Sequence, residues 1–520
     1  MDELAQHNEV PGSAREVNGG VVQLEFAFLS GETCTDPISD NVEGNRAGVS
    51  RGHSTAMALA GRSELDGCVA TPASGLTATN PTGGATGIEA GRKHGRAQSD
   101  LLEQILSREN MLKAWSRVKA NRGAPGIDGM SIEVFPAFAR QHWDRIRSAL
   151  YAGSYCPAAV RRVMIPKATG GQRPLGIPTV LDRLIQQAIA QIITPMFEAT
   201  FHRHSFGFRP QRRARQALAE MEQAHTDGYR FAVDCDLKSF FDTVNHDLLV
   251  DRLRRKIDDE RVIDLITGYL RAGVQLPDGS RAPTPTGVPQ GGPLSPLLAN
   301  IMLNDLDWEL DRRGLRFARY ADDFLIFVKS RRAAERVLKS VGRFVEVRLK
   351  LVVKQTKSKA AKLSQCTFLG FRLFRGKLRW TDSAVTRFKD RVREITRRSS
   401  GRSMAWRIAE LRRYVIGWLN YFGYSHSYRE LLKLDTWLRR RVRMCYWKDW
   451  KRPRPRRKRL LALGANLEEV HLATRSRKGY WRMSSNRIVQ QALNNRWLWN
   501  QGVPNMKQQW IELHYGSTLR

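Results

Sequence analysis

No Cys-x-x-Cys pair occurs in this 520-residue chain, and its six cysteines, Cys34, Cys68, Cys156, Cys235, Cys366 and Cys445, stand far apart. Zinc ribbons and fingers need closely spaced thiolates, so those classes drop out, and scattered thiols fit a reduced, cytosolic setting. Nor is there an unbroken apolar run of the ~18 residues that a spanning helix requires. The opening "MDELAQHNEV" is acidic and polar, unlike a secretory leader. Carboxylates are scarce: 51 Asp+Glu stand against 86 Lys+Arg, a net charge of +35. The shortage is uneven, because residues 1–90 hold 12 acidic and 4 basic residues, which leaves a net +43 on the remainder. So one-sided a surface exceeds what solubility asks for and predicts a polyanionic partner, nucleic acid first and not a membrane.

Residues 1–98 are rich in Gly, Ala, Ser and Thr and lack periodicity, which predicts a disordered extension. Order is expected from "SDLLEQILSRENMLKAWSRVKA", with Ser99 and Glu103 at the start of a helical apolar pattern. "VRRVMIPKATGGQRPLGIPT" reads as strand, Gly turn, strand. "TVLDRLIQQAIAQIITPMFEATF" reads as a helix capped by Thr179 and Asp182. In "YRFAVDCDLKSFFD" the alternation sets Phe231, Val233, Cys235 and Leu237 on one side and Asp234 and Asp236 on the other, a half-buried strand with Phe240 and Phe241 continuing it. "RFARYADDFLIFV" reads as two strands about a tight turn at Ala321, Asp322 and Asp323. From about 385 the pattern is helical and Arg-rich, with 22 Lys+Arg and 6 Asp+Glu over 390–460.

Adjacent carboxylates in an apolar run repel and are costly to bury unless a cation compensates. Acidic residues on two strands can meet around Mg²⁺, a hard ion that takes carboxylate oxygens together with substrate phosphates. Two such ions about 3.5–4 Å apart activate a hydroxyl and stabilise a leaving pyrophosphate. The expectation is two Mg²⁺ ions, with Mn²⁺ able to substitute, on Asp236 and Asp322 as bridging ligands and Asp323 as a weaker or outer one. A solvated pair of turn aspartates is the competing reading.

"YADDF" (320–324), "DCDLKSFFD" (234–242), "PTGVPQGGPLSPLLANIMLNDLD" (285–307) and "HSFGFRPQRRARQAL" (204–218) together resemble the reverse transcriptases of bacterial group II introns. "NRGAPGIDG" (121–129), "IPKATGGQRPLGIPTVLDRLIQQAI" (165–189) and "TFLGFRL" (367–373) resemble further blocks of that family. "RYVIGWLNYFGY" (413–424) and "LDTWLRRRVRMCYWKDWKR" (434–452) resemble its maturase, or X, domain. The resemblance runs in order over roughly 105–500. It implies an α+β right-hand polymerase with fingers and palm over 99–380, a helical thumb and X domain over 381–460, and a basic nucleic-acid-binding segment over 461–520. It also implies RNA-templated DNA synthesis, splicing assistance and retromobility by target-primed synthesis. The implied partners are intron RNA, an RNA template with a DNA primer, target DNA and deoxynucleoside triphosphates. The implied setting is a cytoplasmic, nucleoid-associated ribonucleoprotein, with a homodimer left open. A splicing cofactor without polymerase activity, and a domesticated relative in phage defence or a CRISPR system, are the alternatives.

By the same resemblance Phe241 is an aromatic gate against a 2′-hydroxyl, with core packing as its alternative role, and Gln290 and Gly291 line the nucleotide and template pocket. Lys167 and Arg173 flank the Gly turn, within reach of a triphosphate, or are solvated hairpin cations. Arg209, Arg212, Arg213 and Arg215 follow template phosphates, or the last three form a solvated helix face. In the X-like region, rings and cations alternate: Trp437, Arg439, Arg440, Arg441, Arg443, Tyr446, Trp447, Trp450, Lys451 and Arg452. Rings stack on bases while cations neutralise phosphates; Trp437 is expected inside and the 451–459 run outside on RNA, or as a charged linker. Many relatives end in a zinc-bound HNH nuclease; "WIELHYGSTLR" carries no such Cys/His cluster, so no DNA cutting is expected.

Overall fold

The computed structural model describes residues 100–166 and 171–516. The expected extension over 1–98, together with Ser99 and Lys167, lies outside these. Helix formation begins at Leu101–Ile105, whose cap, Asp100, makes no side-chain bond, and resumes at Arg108–Asn121, capped by Ser107.

Strands β1 (Val160–Pro166) and β2 (Gln172–Ile177) form the expected hairpin, with Arg161 opposite Ile177 and Pro166 opposite Gln172. Helix α1 (Val180–Glu198) follows. The Thr179 hydroxyl accepts the Asp182 N–H at 3.1 Å and donates to the Asp182 carboxylate at 2.6 Å. Burial pushes that carboxyl up to about 6, although the Tyr155 phenol donates to it at 2.7 Å. Leu184, Ile185, Ala188 and Ile189 fill the interior, as the spacing predicts.

Helix α2 (Ala214–Thr226) leads to β3 (Phe231–Cys235). Short strands β4 (Val274–Gln275) and β5 (Arg281–Ala282) complete one sheet in the order β2-β1-β4-β5. Helix α3 (Ser295–Arg312) precedes β6 (Arg316–Tyr320) and β7 (Asp323–Val328), and α4 (Arg331–Arg348) precedes β8 (Lys359–Lys362). These strands build a second sheet, β6-β7-β3-β8, in which Val233 faces Ile326 and Cys235 faces Phe324.

Two expectations are corrected here. Strand β3 is covered on both faces: Val233 and Cys235 sit in one core, and Ala232 packs in a second with Ala318, Leu325 and Phe327. Polar character is confined to its C-terminal end, where Asp234 and Asp236 lie. Phe240 and Phe241 are not on the strand. Ser239, at φ +46, turns the chain into a single helical turn, Phe240–Thr243, because a left-handed residue cannot continue a strand.

The hairpin of β9 (Phe371–Phe374) and β10 (Lys377–Trp380) is followed by α5 (Asp382–Ile395), α6 (Met404–Phe422), α7 (Tyr428–Asp449) and α8 (Pro453–Ala462). Shorter helices lead to α9 (Met506–Tyr515). Thr381, which caps α5, stands where the thumb was expected to begin. The expected division after 460 falls inside α8, and the helices beyond it share one core with α6 and α7. Trp510 donates its indole N–H to the Ser425 carbonyl at 2.9 Å, tying the last helix to the loop before α7. Among the described residues, no helix is long and apolar enough to cross a membrane.

Candidate active site

The turn between β6 and β7 is two residues long, with Tyr320 paired to Asp323. Ala321 takes φ +60, the left-handed conformation a tight hairpin asks for. The turn places Asp322 and Asp323 beside the end of the neighbouring strand β3, where Asp234 and Asp236 lie. Burial, then the charges of Asp234, Asp322 and Asp236, push the Asp323 carboxyl up to about 7, against a pull downward from the Leu369 backbone. Leu369 belongs to "TFLGFRL", so that motif touches the carboxylates. Burial also raises Asp234, with the Asp236 charge adding to the rise and Lys359 opposing it. Lys357 reaches Asp236 at 3.5 Å and Lys359 reaches Asp234 at 3.8 Å.

The protonated Asp323 carboxyl favours the metal-free fold. Its folded value exceeds the ordinary 3.8, so its contribution is complete below about pH 4 and is lost as pH rises through about 7. The melting temperature in EDTA is expected to fall over that window in wild type and to fall less in Asp323→Asn, which ends above wild type at pH 8. Calorimetry at stepped pH checks this, and equal slopes would contradict it.

One residue that sequence reasoning passed over organises the turn. Arg319 and Asp307 are both fully buried. The Arg319 guanidinium donates to Asp307 Oδ1 at 2.7 Å and Oδ2 at 2.5 Å, to Asn300 Oδ1 at 3.0 Å, to the Ala321 carbonyl at 2.9 Å and to Ser205 Oγ at 2.7 Å. All five of its N–H donors are used. The signal was present: charged residues inside apolar segments, "RFARYA" and "ANIMLNDLD", are almost never fully buried unless paired.

Facing the fingers, Phe241 is half-buried and packs edge-on against Phe240 at 5.2 Å. Its carbonyl accepts the Val288 N–H at 2.6 Å, which joins the helical turn to the "PTGVPQGG" loop. That loop seals against β2: the Gly176 N–H donates to the Gln290 carbonyl at 2.7 Å. Gly291 sits at φ +129, and a Cβ there would meet the Gly176 oxygen at 2.4 Å, so only glycine fits. Arg173 Nε donates to Gln290 Oε1 at 2.9 Å. A cavity of about 360 Å³ lies between fingers and palm, lined by Arg162, Gly176, Phe241, Asp242, Val288 and Gln290. Asp234, Asp236, Asp322 and Asp323 are not part of its lining.

Residues 165–373 match the family of reverse transcriptases (RNA-dependent DNA polymerases), and residues 385–464 match the maturase-specific domain of group II introns. Protein YkfC of Escherichia coli K12 is 34% identical over 326 residues, 55% of this chain and 85% of YkfC. The group II intron-encoded protein LtrA of Lactococcus lactis is 36% identical over 220 residues. The chain belongs to the group II intron reverse transcriptase and maturase family. The match to LtrA takes in 42% of this chain and 36% of LtrA, about a third of that relative's length. The expected fold class, an α+β reverse transcriptase with a helical maturase region, holds.

In this family member several expected nucleic-acid contacts are turned inward. Arg209 is buried, forked onto Glu198 at 2.7 and 3.0 Å and donating to the His202 and Ser205 carbonyls at 2.6 and 2.7 Å. It holds its loop and has no face left for a phosphate. Arg443 is buried too, donating to the Leu493 carbonyl at 2.8 Å and to Asn495 at 3.1 Å, and burial lowers it to about 10. It joins α7 to the last helices. Arg440 lies over the Trp481 ring at 3.9 Å and donates to the Trp481 carbonyl. Trp437 is half-buried at the core margin, beneath Arg393. Lys451 and Arg452 are exposed, and the run after them is helix α8, with Arg456 alone turned inward onto Trp447 at 4.5 Å. Arg212 is half-buried, over Phe206 at 5.8 Å.

The donor set suits Mg²⁺, since it is all carboxylate oxygen. Among the described residues, no three His, Cys, Asp or Glu side chains are already grouped to hold a metal ion.

Proposed function

We propose that this chain is an RNA-directed DNA polymerase encoded by a group II intron, which also binds that intron's RNA to promote splicing and copies it from a primer at the DNA target. What supports this reading is the β6–β7 turn, which sets Asp322 and Asp323 beside the end of β3 where Asp236 lies, together with the separate cavity lined by Phe241 and Gln290. Asp236 and Asp322 would hold divalent ions, with Asp323 outside them; when bound, such ions lower the pKa of an attacking hydroxyl and neutralise a leaving pyrophosphate. The chain's own residues do the rest. Arg173 exchanges its bond to Gln290 for a triphosphate, a match for its planar fork. Gln290 and Gly291 present backbone and amide to the nascent pair. Phe241, fixed by Val288 and Phe240, blocks the space a 2′-hydroxyl would need.

Primer extension on an RNA template with a DNA primer tests the reading. Wild type is expected to extend with deoxynucleotides and not with ribonucleotides. Phe241→Ala is expected to relax that choice by roughly 10- to 100-fold, the scale of one steric contact in a pocket. Unchanged discrimination would return Phe241 to a packing role. Binding of intron RNA without extension under any metal would leave a splicing cofactor as the function.

A further inference from the structure

Loop 205–211, which runs against the Asp322 turn, presents one side chain that the site described above does not use. Phe208 sits at φ +59 and is 50% exposed. A bulky residue is a true outlier in the left-handed region, and an exposed ring forgoes the burial that would offset the strain. Such a residue persists only where its surroundings over-determine it. They do so on both sides. The Phe206 N–H donates to the Arg319 carbonyl at 2.9 Å, and the Gly207 carbonyl accepts the Asn300 amide at 2.8 Å. Gly207 lies flat on the turn, since a Cβ there would come within 2.3 Å of the Ala321 nitrogen. On the far side, Arg209 anchors the chain to Glu198. The backbone is thus pinned to the residue preceding Asp322, while half of Phe208 stays open to solvent. Arg212, Arg213 and Arg215 follow within the next seven residues, Arg212 over the Phe206 ring and Arg215 over the Tyr424 ring.

We propose that Phe208 is a stacking platform for a nucleobase of the bound primer–template, held rigid beside the aspartate turn so that the ring is presented without further ordering. A π-face held in place recognises any base, and the neighbouring arginines favour a strand of phosphates beside it. An apolar protein partner is a weaker fit, because one exposed ring in a segment that carries three arginines makes no apolar patch. The inference rests on the polymerase reading of the site.

The test uses the full chain with Phe208→Tyr, Phe208→Ala and Phe208→Gly, and an RNA template–DNA primer in which 2-aminopurine is placed at successive positions of both strands. Wild type and Phe208→Tyr are expected to change the fluorescence at one position near the primer end. The Ala and Gly variants are expected to lose that change and to bind roughly 5- to 100-fold more weakly. Phe208→Gly is expected to melt no lower than wild type, since glycine takes φ +59 without strain. Asp322→Ala, which keeps the ring, is expected to keep the signal. If Phe208→Gly binds as wild type does with the same signal, or if its weaker binding comes with a lower melting temperature, the platform is overturned while the polymerase reading stands. If wild type neither binds nor extends the duplex, both fall.

Discussion

Arg319→Ala is expected to be among the most destabilising substitutions in the palm, lowering stability by about 3–5 kcal/mol, because it strands a buried Asp307 carboxylate. The same change frees the Ala321 carbonyl and Ser205, so the turn that carries Asp322 loses its support. Arg319→Lys is expected to fare little better: a point charge cannot occupy Asp307, Asn300, Ala321 and Ser205 together. Replacing the pair, as Arg319→Met with Asp307→Leu, should recover part of the stability, since a charge is no longer buried alone. It should not recover synthesis, because the Ala321 carbonyl stays unpaired. Urea midpoints for the three variants, read beside primer extension, check this. A double variant with full activity would show that Arg319 only fills space.

Asp236→Asn and Asp322→Asn are each expected to lower nucleotide incorporation by at least about 10³-fold, the loss of several kcal/mol of charge stabilisation at the transition state. Their effect on stability should be small. Asp323→Asn is expected to show the opposite balance. It relieves a carboxyl crowded by Asp234, Asp322 and Asp236, so it stabilises the metal-free protein while costing less activity than the other two. Single-turnover incorporation rates with saturating nucleotide separate the cases. Equal losses at all three positions would make Asp323 a direct ligand.

Local features were legible where one physical cause dominates. The Thr179–Asp182 cap, the pairing of β1 with β2 and the turn at Ala321 follow from residue chemistry alone, and each is where the spacing puts it. Motif order pointed to the family that the comparisons show, because no single dipeptide could. What stayed illegible was which arginines face water. Arg209 and Arg443 read as phosphate contacts because a basic chain offers many cations, and the sequence does not show that Glu198 and the Leu493 carbonyl lie within their reach. The division at 460 failed for a related reason. Charge density changes there, but the apolar positions of later helices, such as Met506 and Trp510, belong to the core under α6 and α7. Phe241 was misplaced on a strand because the left-handed turn at Ser239 leaves no pattern in side-chain hydropathy.

In the proposed function, the paired aspartates of "RYADDFLIF" are the residues on which template-directed synthesis by this chain depends. The most direct measurement is extension of a DNA primer on an RNA template in Mg²⁺, comparing wild type with an Asp322→Ala, Asp323→Ala double variant that still binds RNA. Extension with deoxynucleotides by wild type, absent in the variant, is the predicted result. Extension that survives in the variant would contradict the assignment of these carboxylates.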